Sequence, residues 1–302
     1  MRLAWFLLAA ILVLAPVAWL VGDALYARRM RMLANAPAAR RAATEPIALN
    51  PRGYPALLLL HGFADGPAVF AEIAPPLAAA GFAVRAPHLS GSGAPPAQSA
   101  GLTLAVWRGE IDREIAALCG ERPDRPVWLV GHSLGGTLAF DAALRPTNRI
   151  AGLVLLAPLL DVSRARSPIL APRQWFRLLD RLLVFTDVIE SRLPADLHDL
   201  GARPAYRTDK YIHRAVYRAL FAAMDAVQGR AAEWRGPLLT IVSPSDQIVE
   251  TAATRFFFAA TNAAPARLTE QYSAGHVIPL DTGHEIVAAK IVRFIRETPH
   301  QP

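Results

Sequence analysis

The sequence predicts an α/β fold: a mostly parallel sheet with helices on both faces and a mainly helical cap inserted between two strands. Three observations predict it. Short, wholly apolar runs such as Leu57–Leu60 suit strands buried on both faces. They alternate with segments of helical spacing, the rhythm of β–α–β crossovers. Between 159 and 235 that rhythm stops, and the interval is too long for a structureless loop. It is rich in Leu, Arg and aromatic residues and forms the predicted cap.

The amino terminus differs from the rest. Residues 3–22 carry no charge, and as a helix they would extend about 30 Å, the thickness of a bilayer core. Trp5 and Trp19 lie near the two ends, where indoles suit an interface. This predicts a single-pass membrane anchor, with 1–43 as anchor and tether and 44–302 as the catalytic domain. The net charge is +7, and 1–43 holds six arginines (Arg2, Arg28, Arg29, Arg31, Arg40, Arg41) against Asp23. Charge concentrated beside an apolar run reads as membrane topology, not as a nucleic-acid surface, and no nucleic-acid motif is present. Arg28, Arg29 and Arg31 favour a cytoplasmic side for the domain, while Arg2 pulls the other way. The competing reading is a cleaved signal peptide. Against it, the apolar run exceeds the usual ~7–15 residues, and Pro37 follows the small-residue site Ala34-Asn35-Ala36.

The remaining elements follow in order. Pro55 and His61-Gly62 bound the first strand. Residues 67–80 have helical spacing up to Gly81, 82–86 is a strand, and 87–96 is a loop. In 103–118, Leu104, Trp107, Ile111, Ile115 and Leu118 recur at helical steps. Val127–Val130 is a strand, 134–145 a helix and Ile150–Leu156 a strand. Beyond the cap come a strand at Leu238–Val242, a helix over 251–263, a strand over 267–272 and a closing helix over 285–297. Cys119 is the only cysteine, so no intrachain disulfide exists.

Gly131-His132-Ser133-Leu134-Gly135-Gly136 sits where a strand ends and a helix begins. A serine on so sharp a turn projects its Oγ clear of the sheet, and the residues two before and two after it approach too closely for side chains. Gly131 and Gly135 meet that need. A phosphate or dinucleotide loop is excluded by the glycine spacing and by the lack of Gly-Lys-Ser/Thr.

A serine nucleophile needs a base, and in this arrangement the chain order is Ser, acid, His. Asp246 follows one predicted strand and His276 the next, so both fall at the sheet edge that carries Ser133. His284 competes as the base and Asp161 as the acid, while His61 and His132 neighbour the site. The backbone N–H groups of Phe63 and Leu134 are the expected oxyanion hole. No metal spacing appears among the eight histidines, and no cofactor is implied.

Taken together, LLLLHGFADG (57–66), GHSLGG (131–136), SDQIV (245–249) and GHVIPLD (275–281) resemble α/β-hydrolases of the carboxylesterase and monoacylglycerol-lipase type. That broad family includes serine aminopeptidase-like hydrolases. The resemblance runs from about 55 to 297 and is loose in the cap. It implies the triad Ser133, Asp246 and His276, the oxyanion positions Phe63 and Leu134, and hydrolysis of a carboxylic ester, an acyl lipid or small acylglycerol. Amide hydrolysis or acyl transfer by the same triad, or a silent membrane-tethered binding module, are the other readings. Two departures touch a loop: His88 stands where the family often has Asp, and Gly91-Ser92-Gly93 replaces a further Gly-His. The opening strand of the fold has little room before Leu57. Trp175, Phe176, Leu178, Leu179, Leu182 and Leu183 share helical spacing; they either pack the cap or line an apolar acyl pocket, with Trp175 and Phe176 as the substrate-contact candidates.

Overall fold

A computed structural model describes residues 2–121, 126–165, 167, 169–191, 194–202 and 206–299, and within the first helix the side chains of Trp5 and of residues from 12 onward. Seven strands form one sheet: β1 (Ile47–Leu49), β2 (Ala56–Leu60), β3 (Ala83–Ala86), β4 (Val127–His132), β5 (Ile150–Leu156), β8 (Leu238–Val242) and β9 (Ala266–Glu270), in the spatial order β1-β3-β2-β4-β5-β8-β9. All neighbours are parallel except β1, which runs antiparallel to β3. The central strands β2 and β4 are buried at every position. That burial on both faces explains their unbroken apolar runs. Among the helices, α2 (Ala74–Ala79) packs against α8 (His284–Glu297), and α3 (Leu104–Glu121) packs against α4 (Leu134–Ala143).

Two local readings change. The helix expected over 67–80 is a 3-10 turn, Pro67–Phe70, followed by the short α2. Pro75 and Pro76 lack N–H donors and are tolerated only in a first turn, so the helix restarts at them. An opening strand does exist: three residues, Ile47–Leu49, pair with β3 at the sheet edge, a length too short to leave a periodicity.

The interval between β5 and β8 holds α5 (Pro172–Leu182), the antiparallel pair β6 (Val188–Glu190) and β7 (Tyr211–His213), and α6 (Arg214–Val227). A last helix, α7 (Thr251–Ala259), joins β8 to β9.

The amino terminus corrects the sequence reading. Among the described residues no helix is long and apolar enough to cross a membrane. The expected membrane anchor over 3–22, and the membrane location built on it, are therefore overturned. The side chains of Arg2 and of residues 3, 4 and 6–11 lie outside the described residues. The helix also has a partner further along. The helix does not stop near 22 but runs as α1 from Arg2 to Ala34, and its second half docks on the cap. The buried Asp23 carboxylate accepts the N–H groups of Val184 and Phe185 and the Thr186 hydroxyl. The Trp19 indole donates to the Leu182 carbonyl, and Arg31 pairs with Asp187. Met30 and Ala34 bury themselves against Val188 of β6.

The expected tether is also laid down on the domain. Ala42 N–H donates to Asp209 Oδ1, Lys210 N–H donates to the Arg40 carbonyl, and the Ala43 carbonyl covers Gly66, leaving no room there for a side chain.

Candidate active site

Strand β4 ends on His132, and α4 begins on Leu134, so Ser133 alone makes the turn. It does so at φ 53° and ψ −121°, a conformation unfavourable to any residue with a side chain. A Cβ at Gly131 would strike the backbone of Gly135 and Gly136, and one at Gly135 would strike the Leu60 carbonyl. The two glycines let β2, β4 and α4 close around the serine. Its N–H donates to the Leu156 carbonyl of β5 at 2.9 Å, and its own carbonyl accepts from Leu159 at 3.0 Å. Those bonds hold the strained turn in place.

Asp246 lies just past β8 and His276 just past β9. Ser133 Oγ is 2.9 Å from His276 Nε2, and His276 Nδ1 is 2.7 Å from Asp246 Oδ2. The serine hydroxyl donates to Nε2, and Nδ1–H donates to the carboxylate, which assigns the neutral tautomer. The Asp246 side chain is fully buried. Burial alone would raise its pKa. The adjacent His276 and the N–H groups of Val249 and Ile248 outweigh burial and hold the carboxyl below its ordinary value.

The N–H groups of Phe63 and Leu134 donate to no acceptor among the described residues. Leu134 opens α4, whose dipole adds positive potential there. The Phe63 ring packs on Tyr217 of α6 at 4.9 Å, and Tyr217 stacks on Phe176 at 5.8 Å. Phe176 therefore joins an aromatic run that reaches the loop after β2. Trp175, on the same helix, stays 36% exposed.

The competitors fall elsewhere. His284 begins α8 and faces Glu72, 3.6 Å away. The Asp161 carboxylate is exposed and, among the described residues, accepts only its neighbour's N–H, from Val162. His132 is buried, and burial followed by the nearby His276 lowers its pKa to about 3. Its Nε2–H donates to the His276 carbonyl at 3.0 Å, while Nδ1 has no partner among the described residues. His61, also neutral because burial lowers its pKa to about 4, accepts the Leu89 N–H at Nε2 and donates from Nδ1 to the Gly62 carbonyl. It ties the loop after β2 to the loop after β3.

Sequence reasoning missed two carboxylates around these loops. Asp65 accepts the Gly66 N–H and the Tyr206 hydroxyl; burial raises its pKa to about 7 against those donors. Asp196, in the cap, accepts the N–H groups of Gln247 and His276, which lie 51 and 80 residues away. No local pattern marks such a residue. Among the described residues no group of His, Cys, Asp and Glu could hold a metal ion.

The family model described as serine aminopeptidase, S33, matches residues 52–283. A pimeloyl-[acyl-carrier protein] methyl ester esterase of Aromatoleum aromaticum is 43% identical over 102 residues, 34% of this chain and 36% of that protein. The chain thus spans about a third of that relative's length. A monoacylglycerol lipase of Mycolicibacterium smegmatis is 25% identical over 212 residues, 68% of this chain and 74% of that protein. Among solved structures, that of the metagenome-derived lipolytic enzymes LipS and LipT superposes with a TM-score of 0.73 at 23% identity, covering 84% of this chain and 98% of that one. At that identity the likeness carries the fold alone.

Proposed function

The chain belongs to the serine aminopeptidase S33 family of α/β-hydrolases, and from that premise we propose that it hydrolyses carboxylic esters, those of acyl lipids or small acylglycerols, through an acyl-enzyme on Ser133. One observation carries the reading: a serine held in a strained turn lies 2.9 Å from a histidine that is itself 2.7 Å from a buried aspartate.

In this account Ser133 Oγ attacks the ester carbonyl carbon as His276 Nε2 takes its proton. Asp246 fixes the ring and stabilises the imidazolium that forms. The carbonyl oxygen becomes an oxyanion stabilised by the N–H groups of Phe63 and Leu134. Collapse breaks the C–O bond, and His276 returns its proton to the departing alcohol. Water, deprotonated by the same Nε2, then attacks the acyl-serine; the acyl C–Oγ bond breaks, His276 returns the proton to Ser133 Oγ, and the acid leaves. His132 and His61 stay neutral throughout, so no second cation competes with the imidazolium.

The named activities of the esterase and lipase relatives support ester over amide. The aromatic run Phe63–Tyr217–Phe176–Phe221 supports an apolar acyl group. The test compares p-nitrophenyl esters of graded chain length, monoacylglycerols and aminoacyl p-nitroanilides. Esters are expected to be turned over far faster than anilides. Phe176→Ala is expected to shift chain-length preference by several-fold while sparing the acetate ester. Faster cleavage of anilides overturns the ester assignment, and a uniform loss across chain lengths assigns Phe176 to packing.

A further inference from the structure

We propose that Asp196, carried by the cap, is a positioning residue for the base His276; the inference rests on the triad reading above. Its Oδ2 accepts two backbone N–H groups, from Gln247 at 2.8 Å and from His276 at 3.1 Å. One oxygen therefore joins the loop that carries the acid to the loop that carries the base. The Asp196 carbonyl also accepts the Val277 N–H at 3.3 Å.

The base loop reciprocates. Asp281, fully buried, accepts the N–H groups of His198 at 2.9 Å and Asp199 at 2.7 Å from the cap, and that of Gly275 at 2.6 Å from its own loop. Two buried carboxylates thus clasp 196–199 to 275–281 from both sides. Gly275 completes the fit, because a Cβ there would press on the Asp196 carbonyl and carboxylate. Charge-assisted bonds of this kind are short and directional, and a buried carboxylate that loses a donor is left costly and unpaired.

His276 is consequently held by both of its backbone polar groups. Its N–H goes to Asp196, and its carbonyl accepts His132 Nε2–H at 3.0 Å and the Ile278 N–H at 2.9 Å. None of these bonds involves the His276 ring, which is left to face Ser133 and Asp246. Because the holder of its N–H comes from the cap, a shift of the 196–199 segment carries the base and the acid loop with it. A displacement of about 1 Å in such a constellation is worth roughly 100-fold in rate.

The experiment measures kcat and KM on p-nitrophenyl butyrate for the full chain, Asp196→Ala and Asp196→Asn, each normalised to the sites that an exhaustive fluorophosphonate reaction labels. Thermal unfolding reports the fold. Asp196→Ala is expected to lower kcat per labelled site by roughly 30- to 100-fold with KM changed less than about threefold. Asp196→Asn, whose amide oxygen still accepts, is expected to recover roughly tenfold of that loss. An unchanged kcat per labelled site in Asp196→Ala overturns the proposal, as does a loss that only tracks the folded fraction. Failure of the isosteric Asn variant to fold also overturns it, since the clasp would then build the fold and not position the base. If the unmutated chain takes no label at Ser133, the triad reading fails and the clasp falls with it; the other outcomes remove the clasp alone.

Discussion

The loops at the ends of β4, β8 and β9 and the helix α1 carry signals of different kinds in the sequence. The loops carry a geometric demand that only certain residues meet. Ser133 at φ 53° needs two glycines around it, and Gly131 and Gly135 stand where a side chain would strike backbone. Helix α1 carries only a composition. Its described apolar residues from Leu12 to Val21 stay exposed, so apolar content alone does not say where the helix packs. What fixes its packing lies further along and is largely polar: the Asp23 carboxylate locked onto Val184, Phe185 and Thr186, and the Arg31–Asp187 pair. These partners lie some 160 residues away in the chain, beyond the reach of any local pattern.

His276→Ala is expected to lower ester turnover by about 10⁴-fold or more. His284→Ala, on α8 and facing Glu72, is expected to leave turnover within about threefold. The readout is kcat/KM on a soluble ester. The reverse order would move the base to α8.

A second effect concerns Asp65, a buried acid to which its place in LLLLHGFADG assigns no role. Burial raises Asp65 to a pKa of about 7, against about 3.9 in an unfolded chain. Between those values the folded protein binds a proton there that the unfolded chain has lost, so stability falls as pH rises from about 4 to about 7. His132, lowered to about 3, contributes the opposite slope between about 3 and 6.5. Asp65→Asn is therefore expected to remove a stability loss of order a few kcal/mol over pH 4 to 7, and denaturant melts across that range test it. An unaltered slope would mean that Asp65 stays ionised in the fold.

The smallest effect belongs to α1. Asp23→Ala leaves the N–H groups of Val184 and Phe185 and the Thr186 hydroxyl without their acceptor, at a cost of about 1–3 kcal/mol. A drop of several degrees in the thermal midpoint is expected, with turnover of a short ester within about threefold. A variant as stable as the parent would show that α1 merely rests on the cap.

Most of the sheet was legible because its central strands are wholly apolar runs that end on turns, and the Ser133 turn was legible because its two glycines answer a steric demand. The opening strand Ile47–Leu49 was not, being three residues at an edge. The cap was legible only as an interruption: α5 and α6 carry helical spacing, but nothing in it announces that Asp196 would reach the acid and base loops. Phe176 shows the middle case. Its spacing placed it on a helix; its contact with Tyr217, and through it with Phe63, needed the fold.

Activation of Ser133 by His276 and Asp246 is read out by mass spectrometry of the protein after reaction with a fluorophosphonate. One phosphonate per chain is expected, on the peptide containing Ser133, with labelling abolished in Ser133→Ala and strongly slowed in His276→Ala. A label on another serine, or equal labelling of Ser133→Ala, would contradict it.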